Sequence, residues 1–304
     1  MHSLGSLLDR MYFEAFPPTF AFLQVKAFGD LVIAAASLRS LPAPELSRCR
    51  LVICPYLKDL AQVLSPGCEI VVLGTSDSSV PAAFNLKQEG LLMGLKSLLI
   101  LRGAVERIMP DSTLVMTTIG IRERFIVGKN SYRKIPTANN VYLGYQMFID
   151  QSFPSLITLT PSLAIEKVRL TRILICPYSR VNSKNLPLQV VIELAAICEE
   201  ACLDFEILLL EGEHFEHPKL PFKRVIPRRF DALSAALSEC AAVISADSLP
   251  AHLAEYCGTP TFVVSPIENC YWFPKSVFVG DNWGVFFDKS TPTRLRRFLA
   301  MLQR

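Results

Sequence analysis

Glycine is sparse in this chain, 14 of 304 residues, and the glycine-rich loops that cradle phosphate are missing. Neither G-x-x-x-x-G-K-[ST] nor G-x-G-x-x-G occurs, so the sequence supports neither a P-loop NTPase nor an ordinary dinucleotide site. The nine cysteines form no Cys-x-x-Cys pair. Cys198 and Cys202 lie four apart in a helical pattern, with no histidine or second pair near them in sequence. That spacing excludes a zinc ribbon and suits reduced, buried thiols, so no metal is expected. Long apolar runs are also lacking. The stretch 91–101 is interrupted by Lys96 and is too short to span a bilayer. Residues 1–19 include Asp9, Arg10 and Glu14 and hold no continuous signal-peptide core, which points to a cytoplasmic protein. The net charge of +3 is too mild to argue for nucleic acid, and no basic, aromatic-interleaved motif supports it. It is compatible with an anionic substrate or with passing contact with a membrane surface. There is no short-period repeat and no low-complexity segment.

What is present is apolar surface. Hydrophobic residues make up 51% and charged residues 19%, enough for a large core and against disorder. A length of 304 residues suits two domains. Each half opens with strand, polar loop and helix. In the first half, 20–26, 51–55, 69–73 and 114–118 read as strands, with helical patterns over 31–41, 57–64 and 91–107. Residues 122–134 form a basic segment, and a linking helix begins at 142–148. Pro154 and Pro161 mark the connection, giving domains 1–160 and 161–304. In the second half, 172–176, 205–210, 241–245 and 261–264 read as strands, with helices over 190–200, 231–240 and 291–304. Alternating strands and helices predict a doubly wound α/β architecture.

The stretch 243–260, VISADSLPAHLAEYCGTP, is the most informative. An apolar strand runs into Asp247 and Ser248, a helix follows carrying His252, and Gly258 stops it. In doubly wound sheets, ligands bind where strands hand over to helices, and a helix N-terminus attracts anions. Ser248 and His252 can donate hydrogen bonds there, and Asp247 can accept from sugar hydroxyls, a combination that suits a phosphorylated sugar. The plainer reading makes Asp247 or Ser248 an N-cap and His252 a packing residue. At the equivalent turn of the preceding unit, PYSRVNSK at 177–184, Ser179, Arg180 and Lys184 supply a hydroxyl and cations that could neutralise a diphosphate. Glu211 stands at a strand end, where it could accept ribose hydroxyls. Gly29-Asp30 puts a carboxylate at the first strand-to-helix turn, as a base or simply as an N-cap. Arg122, Arg124, Lys129, Arg133 and Lys134 oppose one glutamate, which describes either an anion-binding loop or a solvated face.

Together, GD followed by an apolar helix, PYSRVNSKNLP, the run 233–266 and YWFP at 271–274 resemble glycosyltransferase family nine, the heptosyltransferases of lipopolysaccharide assembly. The resemblance covers about 20–274 in order and is strongest over 233–266. It implies the GT-B fold, two Rossmann-like domains facing across a cleft, with the acceptor on the N-terminal domain and a nucleotide sugar, typically ADP-heptose, on the C-terminal one. It implies an inverting, metal-independent transfer with Asp30 as base, no cofactor beyond the donor, and Ser179 and Lys184 on the diphosphate. Glu211 would meet the nucleoside, Asp247, Ser248 and His252 would complete the donor site, and the basic segment would take an anionic glycan or glycolipid. A protein of this kind is cytoplasmic, with room for peripheral contact at the inner membrane. Leu249 departs from the family, which usually has glycine after the Ser/Thr. Two other readings compete: a non-catalytic sugar-nucleotide-binding relative, and a GT-B epimerase, which would need a carboxylate-rich cleft that the sequence does not display.

Overall fold

The structure is a computed structural model and describes residues 20–25, 27–73, 91–108, 112–153, 172–218, 220 and 222–303. The sequence readings on residues 1–19, and on the connection at Pro154 and Pro161, lie outside these. Contacts divide the chain into two compact units. Within the described residues the first runs from Phe20 to Ile135, apart from 62–64, which group with the second, and the second continues from Pro136. The helix Val141–Ser152, read from sequence as the start of a linker in the first domain, belongs to the second unit. Its apolar residues Val141, Tyr142, Tyr145, Phe148 and Ile149 are buried.

The first unit holds a five-stranded parallel sheet in the order β3-β2-β1-β4-β5. The strands are β1 (Phe20–Gln24), β2 (Cys49–Ile53), β3 (Glu69–Val72), β4 (Thr113–Met116) and β5 (Tyr132–Lys134). Burial follows position in the sheet. Every residue of the central β1 is buried, whereas Tyr132, Arg133 and Lys134 of the edge strand β5 are all exposed. A central parallel strand is covered on both faces and must be apolar throughout, while a short, cationic edge strand discourages pairing with other chains. The helix Leu91–Ile108 lays Leu98, Leu101, Ala104 and Val105 over Ala21, Leu23, Leu114 and Met116, and Ile126 and Val127 close the same cluster.

The second unit holds six parallel strands in the order β11-β10-β9-β6-β7-β8. They are β6 (Ile173–Cys176), β7 (Phe205–Leu210), β8 (Lys223–Ile226), β9 (Ala242–Ala246), β10 (Thr261–Ser265) and β11 (Trp283–Val285). Alternation along β10 sends Phe262 and Val264 to one face and Val263 to the other. The first face is covered by the helices Leu188–Glu200 and Thr291–Leu302, with Phe298 against Phe262 at 5.7 Å between ring centroids. Burying side chains of this size is worth roughly 1.5–3 kcal/mol each. The helix Leu249–Tyr256 ends as the sequence expects. Gly258 takes φ +74°, its N–H bonds to Glu255 O at 3.0 Å, and Thr259 N–H reaches Ala254 O at 2.9 Å. This is the paired closure that a left-handed residue allows.

Counted from its first strand, the second sheet has the dinucleotide-fold order 3-2-1-4-5-6, and among the described residues the first sheet has the order 3-2-1-4-5. The doubly wound α/β expectation therefore holds in both units. β5, β8, β11 and the short helix Lys275–Gly280 were not foreseen from sequence. The three strands are short and lie towards or at sheet edges, and two of them carry lysine and arginine, so the alternating apolar signal is absent.

Candidate functional site

The second sheet changes its winding direction between β6 and β9. From β6 the chain steps outward through β7 to β8, then returns to β9 and steps the other way to β11. The loops leaving β6 and β9 diverge above this point, and ligands of doubly wound sheets bind in the crevice so formed. Both loops carry the sequence-identified residues. Lys184, in the single turn Asn182–Lys184, donates from Nζ to Asp247 Oδ2 at 2.6 Å, joining two residues 63 apart in sequence. The β6 loop is held in shape by Asn185, whose Oδ1 accepts Ser179 N–H at 2.7 Å, and by Leu186 N–H to Pro177 O at 2.8 Å. Ser179 Oγ accepts Val181 N–H at 3.3 Å. Arg180 is exposed beside it.

Asp247 and Ser248 lead into the helix Leu249–Tyr256. Ser248 occupies the N-cap position, but its side chain makes no capping bond; Oγ lies 3.2 Å from Ala246 O and 3.4 Å from Tyr178 O. The hydroxyl therefore bridges the two loops rather than closing the helix. Leu249 needs no glycine-like backbone here, because its φ is not positive. Pro250 at the second helical position removes one N–H from this end.

His252 is 6% exposed. Burial pushes its pKa from 6.5 down to about 4; the charge of Lys184 lowers it further and that of Asp247 opposes. The imidazole is thus neutral at pH 7, and the two charges it feels tie it to the same cluster. Its Nδ1 lies 3.1 Å from the hydroxyl of Tyr142, and the two rings lie nearly parallel, with centroids 6.1 Å apart. Tyr142 was read from sequence only as part of a helix. No sequence signal joins positions 110 apart, but the asparagine before that helix is a cap residue that could have marked its start. Asn140 Oδ1 accepts Tyr142 N–H at 3.0 Å.

Glu211 stands apart from this cluster. Its residue is exposed, and it is its backbone oxygen that accepts from Arg228 Nε at 2.6 Å. The more enclosed carboxylate at this end of β7 is that of Glu213. Its Oε2 accepts Leu210 N–H at 2.8 Å; burial raises the pKa of the Tyr178 phenol and the Cys176 thiol, and the charge of Glu213 adds a smaller push to each.

In the first unit the winding reverses between β1 and β4. Asp30 follows β1, as the third residue of the helix Phe28–Arg39, and is half-buried. The N-cap of that helix is Ala27, so Asp30 is not the N-cap residue but an acidic residue of the first turn. The basic segment after β4 is three pieces rather than one loop. Arg122 and Arg124 lie on the helix Ile121–Val127, Lys129 on the turn after it, and Arg133 and Lys134 on β5. The hidden organiser is apolar, since Ile126 and Val127 pack into the core. Arg122 pairs with Glu123 at 2.7 Å, while Glu123 Oε2 accepts Gly120 N–H at 2.9 Å. Arg133 lies over the ring of Phe20 at 5.6 Å. Arg124, Lys129 and Lys134 are exposed. Among the described residues no group of three or more His, Cys, Asp or Glu side chains is arranged to hold a metal ion.

The second-unit cluster combines an ammonium, two hydroxyls, a neutral imidazole and a carboxylate around one crevice. Such a set can bind an anion and, through Asp247, orient neutral hydroxyls. Neither a protein-family model nor a curated protein sequence matches the chain. Solved structures do. A glycosyl transferase family 9 protein from Veillonella parvula aligns with a TM-score of 0.60 at 12% identity, over 93% of this chain and 96% of its own. The E. coli heptosyltransferase WaaC, solved with ADP, aligns at 0.58 and 10% identity, over 93% and 99%. E. coli ADP-heptose lipopolysaccharide heptosyltransferase II aligns at 0.52 and 13%, over 93% and 98%. The chain therefore has the two-unit α/β GT-B fold of the family nine glycosyltransferases and heptosyltransferases that its motifs resemble.

Proposed function

We propose that the protein is an inverting, metal-independent glycosyltransferase that moves a sugar, heptose from ADP-heptose, onto lipopolysaccharide or another anionic glycan acceptor. The observation that carries this reading is the meeting of Lys184, Asp247, Ser248 and His252 where the second sheet reverses its winding. The motif resemblance and the ADP bound by WaaC, a protein of the same fold, support the choice of donor.

In this mechanism the acceptor hydroxyl attacks the anomeric carbon and loses its proton to the Asp30 carboxylate. The bond from that carbon to the diphosphate oxygen breaks, and its electron pair leaves with the nucleoside diphosphate. General-base help of this kind is worth roughly 10²–10⁴-fold. Lys184 has three N–H donors. Its bond to Asp247 uses one and orients the ammonium, leaving two for the diphosphate. Ser179, Arg180, Ser248 and His252 add donors against the charge that grows on the leaving group. Asp247 accepts from sugar hydroxyls and Glu211 from the nucleoside. Arg122, Arg124, Lys129, Arg133 and Lys134 take the anionic acceptor. The site of action is cytoplasmic, with peripheral contact at the inner membrane; among the described residues no helix is long and apolar enough to cross one.

The test is a titration of ADP-heptose and a panel of other nucleotide sugars into wild type and Lys184→Ala. A charge-assisted hydrogen bond is worth about 1.5–3 kcal/mol, so the variant should bind the preferred donor roughly 10- to 100-fold more weakly. Wild-type protein that binds no nucleotide sugar, or a variant that binds as wild type does, sinks the reading.

A further inference from the structure

Tyr142 and His252 form a contact that donor binding alone does not explain. The Tyr142 residue is 6% exposed, and its hydroxyl has one partner among the described residues, His252 Nδ1 at 3.1 Å. A buried hydroxyl must place its proton on an acceptor, or that proton is left without a bond. Burial also raises the Tyr142 pKa well above its usual value, so the phenol keeps its proton. Nδ1 must then offer its lone pair, and a neutral imidazole that accepts at Nδ1 carries its hydrogen on Nε2. The opposite arrangement, Nδ1–H donating to the phenol oxygen, would strand the phenol proton.

The phenol is held in place by a second buried group. Asn140 is 0% exposed, and its amide is occupied on both sides. Oδ1 takes Tyr142 N–H at 3.0 Å, and Nδ2 donates to Phe273 O at 2.9 Å and Cys270 O at 3.2 Å. The start of the helix Val141–Ser152 is thereby fastened to the turn over 270–273. His252 Nε2 has no protein partner among the described residues and is not among the enclosed unpaired atoms.

We infer that Tyr142 is a positioning residue that holds His252 with its hydrogen on Nε2, so that the ring presents an N–H, and never a lone pair, to a ligand. Its value for transfer rests on the donor reading, since a leaving diphosphate oxygen needs a donor there and would be repelled by a lone pair. The tautomer itself does not depend on that reading.

The experiment is nitrogen-15 NMR on the full chain at pH 7. There are four histidines, so His252→Gln identifies the relevant signals. The expected wild-type result is a single form, with Nδ1 at the shift of an unprotonated nitrogen and Nε2 at that of a protonated one. In Tyr142→Phe, which keeps the ring and removes the hydroxyl, both tautomers should be populated and the two shifts should move toward each other. A wild-type Nδ1 that carries the hydrogen overturns the proposal, and so does a Tyr142→Phe spectrum that keeps the wild-type tautomer. If the variant does not fold, a through-bond correlation between the Tyr142 hydroxyl proton and Nδ1 in wild type decides instead: its presence supports the proposal and its absence overturns it. Adding ADP separates the two ideas. A moving Nε2 signal supports both, whereas an Nε2 indifferent to ADP in the stated tautomer counts against the donor role and leaves the positioning intact.

Discussion

At the switch point of the second sheet, side chains distant in sequence hold one another. At that of the first sheet, the ion pair on the basic helix is local, and the longer-range contacts are of another kind: the Tyr56 hydroxyl donates to Val25 O at 3.3 Å and Arg133 lies over the Phe20 ring. Lys184 meets Asp247 across 63 positions and Tyr142 meets His252 across 110, whereas Arg122 pairs with the adjacent Glu123, which in turn binds Gly120. The winding is the same in both sheets, so topology alone does not set this difference. A cross-linked crevice keeps its donors aimed before a ligand arrives, and that is where preorganised electrostatics are most effective. The first sheet instead offers a half-buried carboxylate at its turn, at the third position of a helix whose N-cap is Ala27. Under the proposed function, binding falls to the second unit and proton transfer to the first.

The sharpest way to break that division is Asp30→Asn. The exchange removes the base and keeps the shape, so the transfer rate should fall by roughly 10²–10⁴-fold while donor affinity holds. Because Ala27 is the N-cap, the stability change should stay near the roughly 0.3–1 kcal/mol that a carboxylate gains from a helix N-terminus. Paired rate and melting measurements check both halves. An active variant would remove Asp30 from the chemistry.

A second test addresses the second unit alone. His252 is buried neutral, with a folded pKa of about 4 against 6.5 for the free side chain. The unfolded chain therefore binds more protons between these values, and stability rises with pH across that window. The contribution is complete above pH 6.5 and is lost as the pH falls towards 4, a change of about 3 kcal/mol by linkage. Denaturant titrations of wild type and His252→Gln at several pH values should show a slope in this range that the variant lacks. Parallel curves would mean that His252 titrates normally.

The smallest effect belongs to the basic segment. Arg122 is committed to Glu123 and Arg133 to the Phe20 ring, so replacing them would confuse packing with binding. The triple change Arg124→Gln, Lys129→Gln and Lys134→Gln touches exposed positions only. It should raise KM for an anionic acceptor a few-fold and leave donor affinity alone. The effect should fade with added salt, since exposed charges are screened over about 8 Å at physiological ionic strength. A defect that ignores salt would assign these residues a different role.

The sequence made much of this visible because local chemistry and global position agree along most of the chain. Strand β7 runs over the same residues as its apolar pattern, and Gly258 stops its helix where a left-handed residue is needed. Asp247, Ser248, Lys184 and His252 were legible because turns of doubly wound sheets collect polar residues at known offsets from apolar strands. Tyr142 was hidden, because an aromatic on an apolar helix face looks like core until its hydroxyl finds a partner. Glu211 was legible as a polar residue at a strand end, whereas the partial enclosure of Glu213 depends on a turn in which its carboxylate accepts Leu210 N–H. The basic segment looked like a loop because its ordering residues, Ile126 and Val127, are few and its strand is cationic.

The fastening at Asn140 also has a consequence in time. Its acceptors, Cys270 O and Phe273 O, lie 130 and 133 residues downstream. During synthesis at roughly 5–20 residues per second, the helix that carries Tyr142 leaves the ribosome about 7–26 s before the turn that will hold it. Until then Asn140 lacks the two carbonyls that it binds in the finished fold, and loop closure over such a span is slow to reward. The helix that carries Tyr142 is therefore fastened only after residues 270–273 have been made, when strands β1 to β10 have already been synthesised.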